Sequence, residues 1–313
     1  MKPFRKHVAI AIDGGGIRGV VATRALMTLE NALGKSSHDI FRLAAGTSTG
    51  SIIAAGLSAG LTAKAMNDLY LQFGKTVFKK SWRTFFFPLT RYQYSSDPLR
   101  KILHDKIGDI KMGDFWNAVP RTDVVIITMD LLTNKSRFIK PWKPEYKDWP
   151  VVTAVMASSS IPAYFPVVED RYVDGGIGSY VNPCYIAAYE ALFCLQWKLE
   201  ETTLISLGTG RDPQAVKPGQ ANKMAVWNWL IPLEDAFLSS TSDQQVHLVE
   251  TFFKGLDFRR FQVDFKKYIA LDDTNHMDEL LAYGEQLGQM ILNDQVDTAM
   301  GVKAVAPNRT DSI

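Results

Sequence analysis

Short β-branched runs and amphipathic stretches alternate along the first 60 residues. His7–Ile12 is an apolar run ending in Asp13, the pattern of a strand buried on both faces. Val20–Leu33 carries apolar residues at helical spacing and is stopped by Gly34. Ile40–Ala45 predicts a second strand, and Gly46–Gly50 turns it directly into a small-residue helix over Ser51–Ala59. Strand, helix, strand, helix in this order calls for a parallel sheet with helical crossovers. Further strands are expected at Val124–Met129, Arg137–Ile139, Arg171–Val173 and Thr203–Leu207. From about Pro232 the pattern is mainly helical, interrupted by a strand-like Phe258–Phe265. It closes on His276–Leu292, where Leu280, Leu281, Leu287 and Ile291 share one face. The economical architecture is one α/β domain over residues 1–303, with its motifs in 7–210, helices in 232–300, and a loose tail at 304–313.

Composition narrows the function more than the fold. Hydrophobic residues make up 46% and charged residues 22%, and the formal net charge of +2 gives no footprint for nucleic acid. Cys184 and Cys194 fall on one helical stretch, whose ten-residue separation of roughly 15 Å is too long for a disulfide. They read as reduced core residues of a cytoplasmic protein. No stretch has the length of a membrane span, and Val8–Ile12 is too short for a signal-peptide core. A soluble protein, peripheral at membranes at most, is the expectation. The sequon at Asn308–Thr310 reads as chance in a polar tail.

Three glycine turns at strand ends carry candidate chemistry. Gly46-Thr47-Ser48-Thr49-Gly50 is a GxSxG pentapeptide between strand and helix. Its glycines permit the tight turn that lifts a serine hydroxyl above a sheet, at a helix N-terminus that favours negative charge. Asp13-Gly14-Gly15-Gly16-Ile17-Arg18-Gly19 follows the first strand. It fits a loop that offers successive backbone N–H groups to an oxyanion. It also fits the dinucleotide fingerprint Gly14-x-Gly16-x-x-Gly19, so a nucleotide-binding module is the alternative. That module needs an acid at the end of the second strand, where this chain has Ala44-Ala-Gly-Thr-Ser48. Tyr172-Val-Asp174-Gly175-Gly176 supplies a carboxylate at a third turn.

In this order, and with Ala157–Pro166, Asn182-Pro183 and Ser206–Gly210 around them, these motifs resemble the patatin-like phospholipase family. The resemblance covers His7 to about Gly210. It implies a three-layer α/β/α fold with a mostly parallel central sheet, and hydrolysis of fatty-acyl esters in phospholipids or other glycerolipids. It implies Ser48 as nucleophile and Asp174 as its dyad partner. The Gly15 and Gly16 amides would form the oxyanion hole, and Gly14, Arg18, Gly19, Gly46, Gly50, Gly175 and Gly176 would shape the loops. No cofactor or metal is implied.

A Ser–Asp–His triad is the mechanistic rival. None of His7, His38, His104, His247 and His276 lies in a glycine-rich strand-end turn, and the last two read as helix positions. Asp272-Asp273 suits a cap or solvated turn rather than a metal site. Two stretches suit lipid contact or core packing: Lys79–Tyr94, with four cations among six aromatics, and Ala225–Leu233.

Overall fold

The structure is a computed structural model. It describes residues 1–297 except 88, 214–215, 217–218 and 226–229, and only the backbone of 221, 230–235 and 237. Residues 226–229 of the second lipid-contact stretch and the 304–313 tail with its sequon therefore lie outside the described residues, and of 230–233 only the backbone is described.

In the first half, β1 (His7–Ile12) leads through the glycine loop to α1 (Gly19–Leu33) and α2 (Ser37–Ile40). β2 (Leu43–Thr47) runs into α3 (Thr49–Ser58), followed by α4 (Ala63–Thr76), α5 (Trp82–Phe85), α6 (Asp97–Ile107) and α7 (Asp114–Asn117). β3 (Asp123–Asp130) and β4 (Lys135–Ile139) precede α8 (Val151–Ser159) and β5 (Tyr172–Asp174). The remainder comprises α9 (Cys184–Tyr189), β6 (Thr202–Leu207), α10 (Leu230–Phe252), β7 (Asp257–Phe261) and α11 (Met277–Leu292). Cys184 is buried on α9, but Cys194, in the helical turns that follow, is exposed, so only the first cysteine is a core residue.

The sheet order is β4-β3-β2-β1-β6-β7, with β5 pairing β3. β3, β2, β1, β6 and β7 are parallel, while β4 and β5 run antiparallel to β3. Pleat alternation divides the core. Ile10, Ile12, Val124 and Ile126 face α1, α3, α4, α8 and α11, and the smaller Ala9, Ala11 and Ala45 face α9 and α10. Fully burying Ile10 or Ile12 contributes about 1.5–3 kcal/mol each, enough to fix the register of the strand that carries the glycine loop. The result is the expected α/β/α sandwich, on a sheet more mixed than a purely parallel one.

Two strand boundaries differ from the sequence pattern, for local reasons. Ile40 ends a short helix, because Ser36 caps it by accepting a hydrogen bond from the Asp39 amide at 3.2 Å. β2 then starts at Leu43 and runs to Thr47, directly against the serine. β7 ends at Phe261 because its neighbour β6 stops at Leu207, and the chain beyond pairs only irregularly, through Arg211 and Asp264.

Candidate active site

Ser48 occupies the bend between β2 and α3 with φ 54° and ψ −125°, a backbone conformation that side-chain-bearing residues rarely adopt. Such strain costs on the order of 1–3 kcal/mol and persists only where the surroundings hold it. The flanking glycines allow the bend: a Cβ on Gly46 would lie 2.1 Å from the Gly50 carbonyl oxygen. Serine hydroxyls then clamp the backbone. The Ser48 amide donates to Ser158 Oγ at 2.9 Å, and Ser158 Oγ donates to the Ile127 carbonyl at 2.6 Å. The Ser48 carbonyl accepts from Ser51 Oγ at 2.6 Å and from Ser159 Oγ at 3.1 Å.

Asp174 reaches the same place by a route that parallel-strand reasoning did not contain. Thr47 at the end of β2 pairs with Ile127, and the next β3 residue, Thr128, pairs with Asp174. β5 therefore enters the lane that β2 vacates, from the opposite direction, and the two strands meet nearly end to end. The Asp174 amide donates to the Ser160 carbonyl at 3.0 Å, so α8's C-terminal serines hold both partners. Gly175 and Gly176 open the turn that follows, and the Gly176 amide donates to Asp174 Oδ1 at 2.8 Å.

Burial is the largest influence on the Asp174 carboxyl and raises its pKa to about 6, against the lowering effects of the Ser48 hydroxyl and the Gly176 amide. Its Oδ2 is buried without a partner of ordinary hydrogen-bond geometry. The serine hydroxyl thus stands beside the carboxylate without a closed bond, as is common in unliganded catalytic sites.

The glycine loop borders the pair. Gly14 donates its amide to the Val181 carbonyl at 2.9 Å and accepts at its own carbonyl from Thr209 Oγ1 at 2.7 Å. Gly16 has φ +57°, and a Cβ there would lie 2.2 Å from the Leu271 carbonyl oxygen. Among the described residues no protein acceptor is recorded for the Gly15 or Gly16 amide. Gly19 begins α1. Arg18 lines the wider cavity at Ser48 and ties the loop down, donating to Asp212 Oδ2 at 2.6 Å and to the Ile269 carbonyl.

Arg260 is a supporting residue that motif reasoning missed. It reaches from β7 across β6 to donate to both carboxylate oxygens of Asp13, at 2.8 and 2.5 Å, and contacts Ser206 Oγ at 2.9 Å on the way. Burial raises the pKa of Asp13, and the Arg260 guanidinium opposes that rise. The available signal was the pair Arg259-Arg260 between two phenylalanines of a strand, where an unpartnered charge would be costly.

Two cavities meet at Ser48. One, of about 220 Å³, has a largely apolar wall that includes Ile177, Val181 and Leu238, with the charged Asp174, Arg211 and Asp243 set into it. The other is a narrow apolar slot walled by Ile52, Phe73, Phe78, Leu99 and Phe165. Ser48, Ile161 and Leu271 border both. No histidine is among the described residues of either wall. His38 Nδ1 contacts the Leu57 carbonyl at 2.9 Å, His104 pairs with Asp109, and His276 pairs with Asp273 at 2.7 Å. Asp272 accepts from the Tyr94 hydroxyl at 2.7 Å, and Asp273 caps a short helical turn by accepting from the Asn275 amide at 3.0 Å.

The family model described as patatin-like phospholipase matches residues 10–188, more than half of the chain and both glycine turns of the first sheet strands together with Asp174. The chain belongs to the patatin-like phospholipase family. An intracellular phospholipase A2 of Caenorhabditis elegans is 32% identical over 224 residues, covering 66% of this chain and 20% of that protein. This chain thus spans about a fifth of the length of the worm relative. Patatin-17 of Solanum cardiophyllum is 24% identical, over 86% of this chain and 78% of the relative. A cGAMP-activated phospholipase of Escherichia coli (strain TW11681) is 25% identical, over 93% and 85% respectively. Within this patatin-like chain β2 ends in Thr47, without the acid that a dinucleotide site requires.

Proposed function

We propose that the protein is a serine lipid acyl hydrolase acting through a Ser48–Asp174 dyad. The observation that carries this reading is a strained serine beside a buried, high-pKa carboxylate, where two largely apolar cavities meet. Ser48 Oγ attacks the ester carbonyl carbon as its proton passes to Asp174 Oδ2. Negative charge on the carbonyl oxygen is met by the Gly15 and Gly16 amides, and one such donor is worth roughly 10²–10³ in rate. Collapse breaks the ester C–O bond, and Asp174 returns the proton to the leaving alcohol. Asp174 then takes a proton from water as the water oxygen attacks the acyl carbon; the bond to Ser48 Oγ breaks, the fatty acid leaves, and Asp174 returns the proton to Ser48 Oγ. The narrow slot suits an acyl chain, and the wider cavity, with Arg211, Asp212 and Asp243 in its wall, has room for the rest of a glycerolipid. The names of the worm and bacterial relatives support a phospholipid as substrate.

Incubation with mixed phospholipid vesicles should release free fatty acid, measured by mass spectrometry. Ser48→Ala and Asp174→Asn should each remove nearly all of it, and the double variant should lose little more, because the pair acts as a unit. A folded single variant with near-parental turnover would eliminate the dyad.

A further inference from the structure

Between Asp68 and Asp97 the chain holds no acidic residue but five cations, Lys75, Lys79, Lys80, Arg83 and Arg91, in a protein of net charge +2. The same segment exposes Trp82 by 62%, Phe85 by 83%, Phe86 by 50% and Leu89 by 88%. These side chains form a group. Phe85 and Phe86 meet edge to face at 5.2 Å, and the Arg83 guanidinium lies 4.9 Å from the Trp82 ring and 4.7 Å from Tyr92. Among the described residues, none of the five cations has a carboxylate partner. Clustered apolar surface of this kind marks an interaction site rather than a random exposure.

Its position ties it to the lipid-hydrolase reading. Both ends of the segment are anchored on rings at the apolar slot: Phe78 and Tyr94 pack at 5.5 Å, and each packs against Phe165, at 6.1 and 5.9 Å. The Gln93 and Tyr94 amides donate to the carbonyls of Ala163 and Tyr164 at 2.9 and 2.8 Å. Phe78, Tyr164 and Phe165 line the slot that leads to Ser48.

We propose that residues 79–91 dock the protein on an anionic phospholipid bilayer, with the slot turned toward the lipid. Aromatic side chains settle at the headgroup boundary, and unpaired cations around them are drawn to anionic headgroups. Charge complementarity selects this occupant over a second copy of the chain, whose equally cationic segment would be repelled.

The purpose of docking rests on the hydrolase reading, but the test does not. Binding is measured by co-sedimentation of Ser48→Ala protein with vesicles of phosphatidylcholine alone or mixed with phosphatidylglycerol. The protein should favour the anionic vesicles. Adding Trp82→Ser, Phe85→Ser and Phe86→Ser should weaken partition by at least about tenfold, as loss of three interfacial side chains implies. Lys79→Gln with Lys80→Gln should weaken it by about fivefold per lysine on anionic vesicles, with little change on neutral ones. With Ser48 intact, each set of changes should leave hydrolysis of a short soluble ester unchanged, which also verifies folding. Equal binding to both vesicle types would overturn the proposal, as would parental binding by the serine triple variant. A concentration-dependent dimer that the triple variant abolishes would overturn it too, and would assign the patch to a second copy.

Discussion

Replacing Asp174 by asparagine should make the protein inactive and more stable, with a pH dependence that reports the buried charge. In the folded chain the carboxyl pKa is raised from 3.8 to about 6, mainly by burial. A carboxyl with a raised folded-state pKa is favoured by folding when protonated. That contribution is complete below about pH 4 and disappears as pH rises through about 6. The ionised form at pH 7 therefore costs about 3 kcal/mol, which asparagine, neutral at every pH, does not incur. The carbonyl oxygen of the substituted amide can still accept from the Gly176 amide, and its NH₂ would face the Ser48 hydroxyl. Urea denaturation should show the variant about 3 kcal/mol more stable at pH 7, about 1.5 at pH 5, and nearly level with the parent below pH 4. Turnover of a soluble ester by the parent should rise from pH 5 and level above pH 7, following one ionisation near 6. A stability difference independent of pH, or turnover that is flat across this range, would refute the buried-base reasoning.

Two substitutions separate the loop's role from that of the histidines. Gly16→Ala places a Cβ against the Leu271 carbonyl at a φ of +57°, so it should displace the loop and lower kcat on a soluble ester by roughly 10²-fold or more, with slower fluorophosphonate labelling of Ser48. An unchanged rate in folded protein would remove the oxyanion role. His247→Gln with His276→Gln should retain more than about a tenth of parental activity, since a general base contributes on the order of 10²–10⁴. A hundredfold loss in the folded double variant would point to a triad.

The parts of the site carried by local chemistry were legible in the chain. The GxSxG bend, the glycine loop after the first strand and the acid before Gly175-Gly176 all stand at strand ends, because each needs small residues at a specific turn. What was not legible depends on pairing. Nothing in Arg171–Val173 announces that β5 runs antiparallel to β3, and nothing in Ala157–Pro166 shows Ser158 receiving the Ser48 amide. Arg260 was hidden for the same reason: its partner Asp13 lies 247 residues earlier, and only the β1–β6–β7 order brings them together. The Lys79–Tyr94 stretch was ambiguous because exposed and buried aromatic runs have the same composition, and only the fold places Trp82, Phe85 and Phe86 outside.

The end-to-end meeting of β2 and β5 explains how an aspartate can serve as the proposed base without a histidine between. In a sheet of parallel strands, carboxyl ends lie side by side at the strand spacing of about 4.8 Å, and an acid on a neighbouring strand points along its own turn. Here β5 occupies the lane of β2, so Asp174 stands where the chain would have continued had it not bent upward at Ser48. The same placement surrounds the carboxylate with β3, α8 and the glycine turn, which desolvates it and lifts its pKa toward neutrality. A solvated aspartate near ~3.9 would be too weak a base for a serine hydroxyl at neutral pH. One topological feature thus sets both the proximity and the basicity that the dyad requires, and Ser158–Ser160 at the end of α8 hold the two strand ends in register.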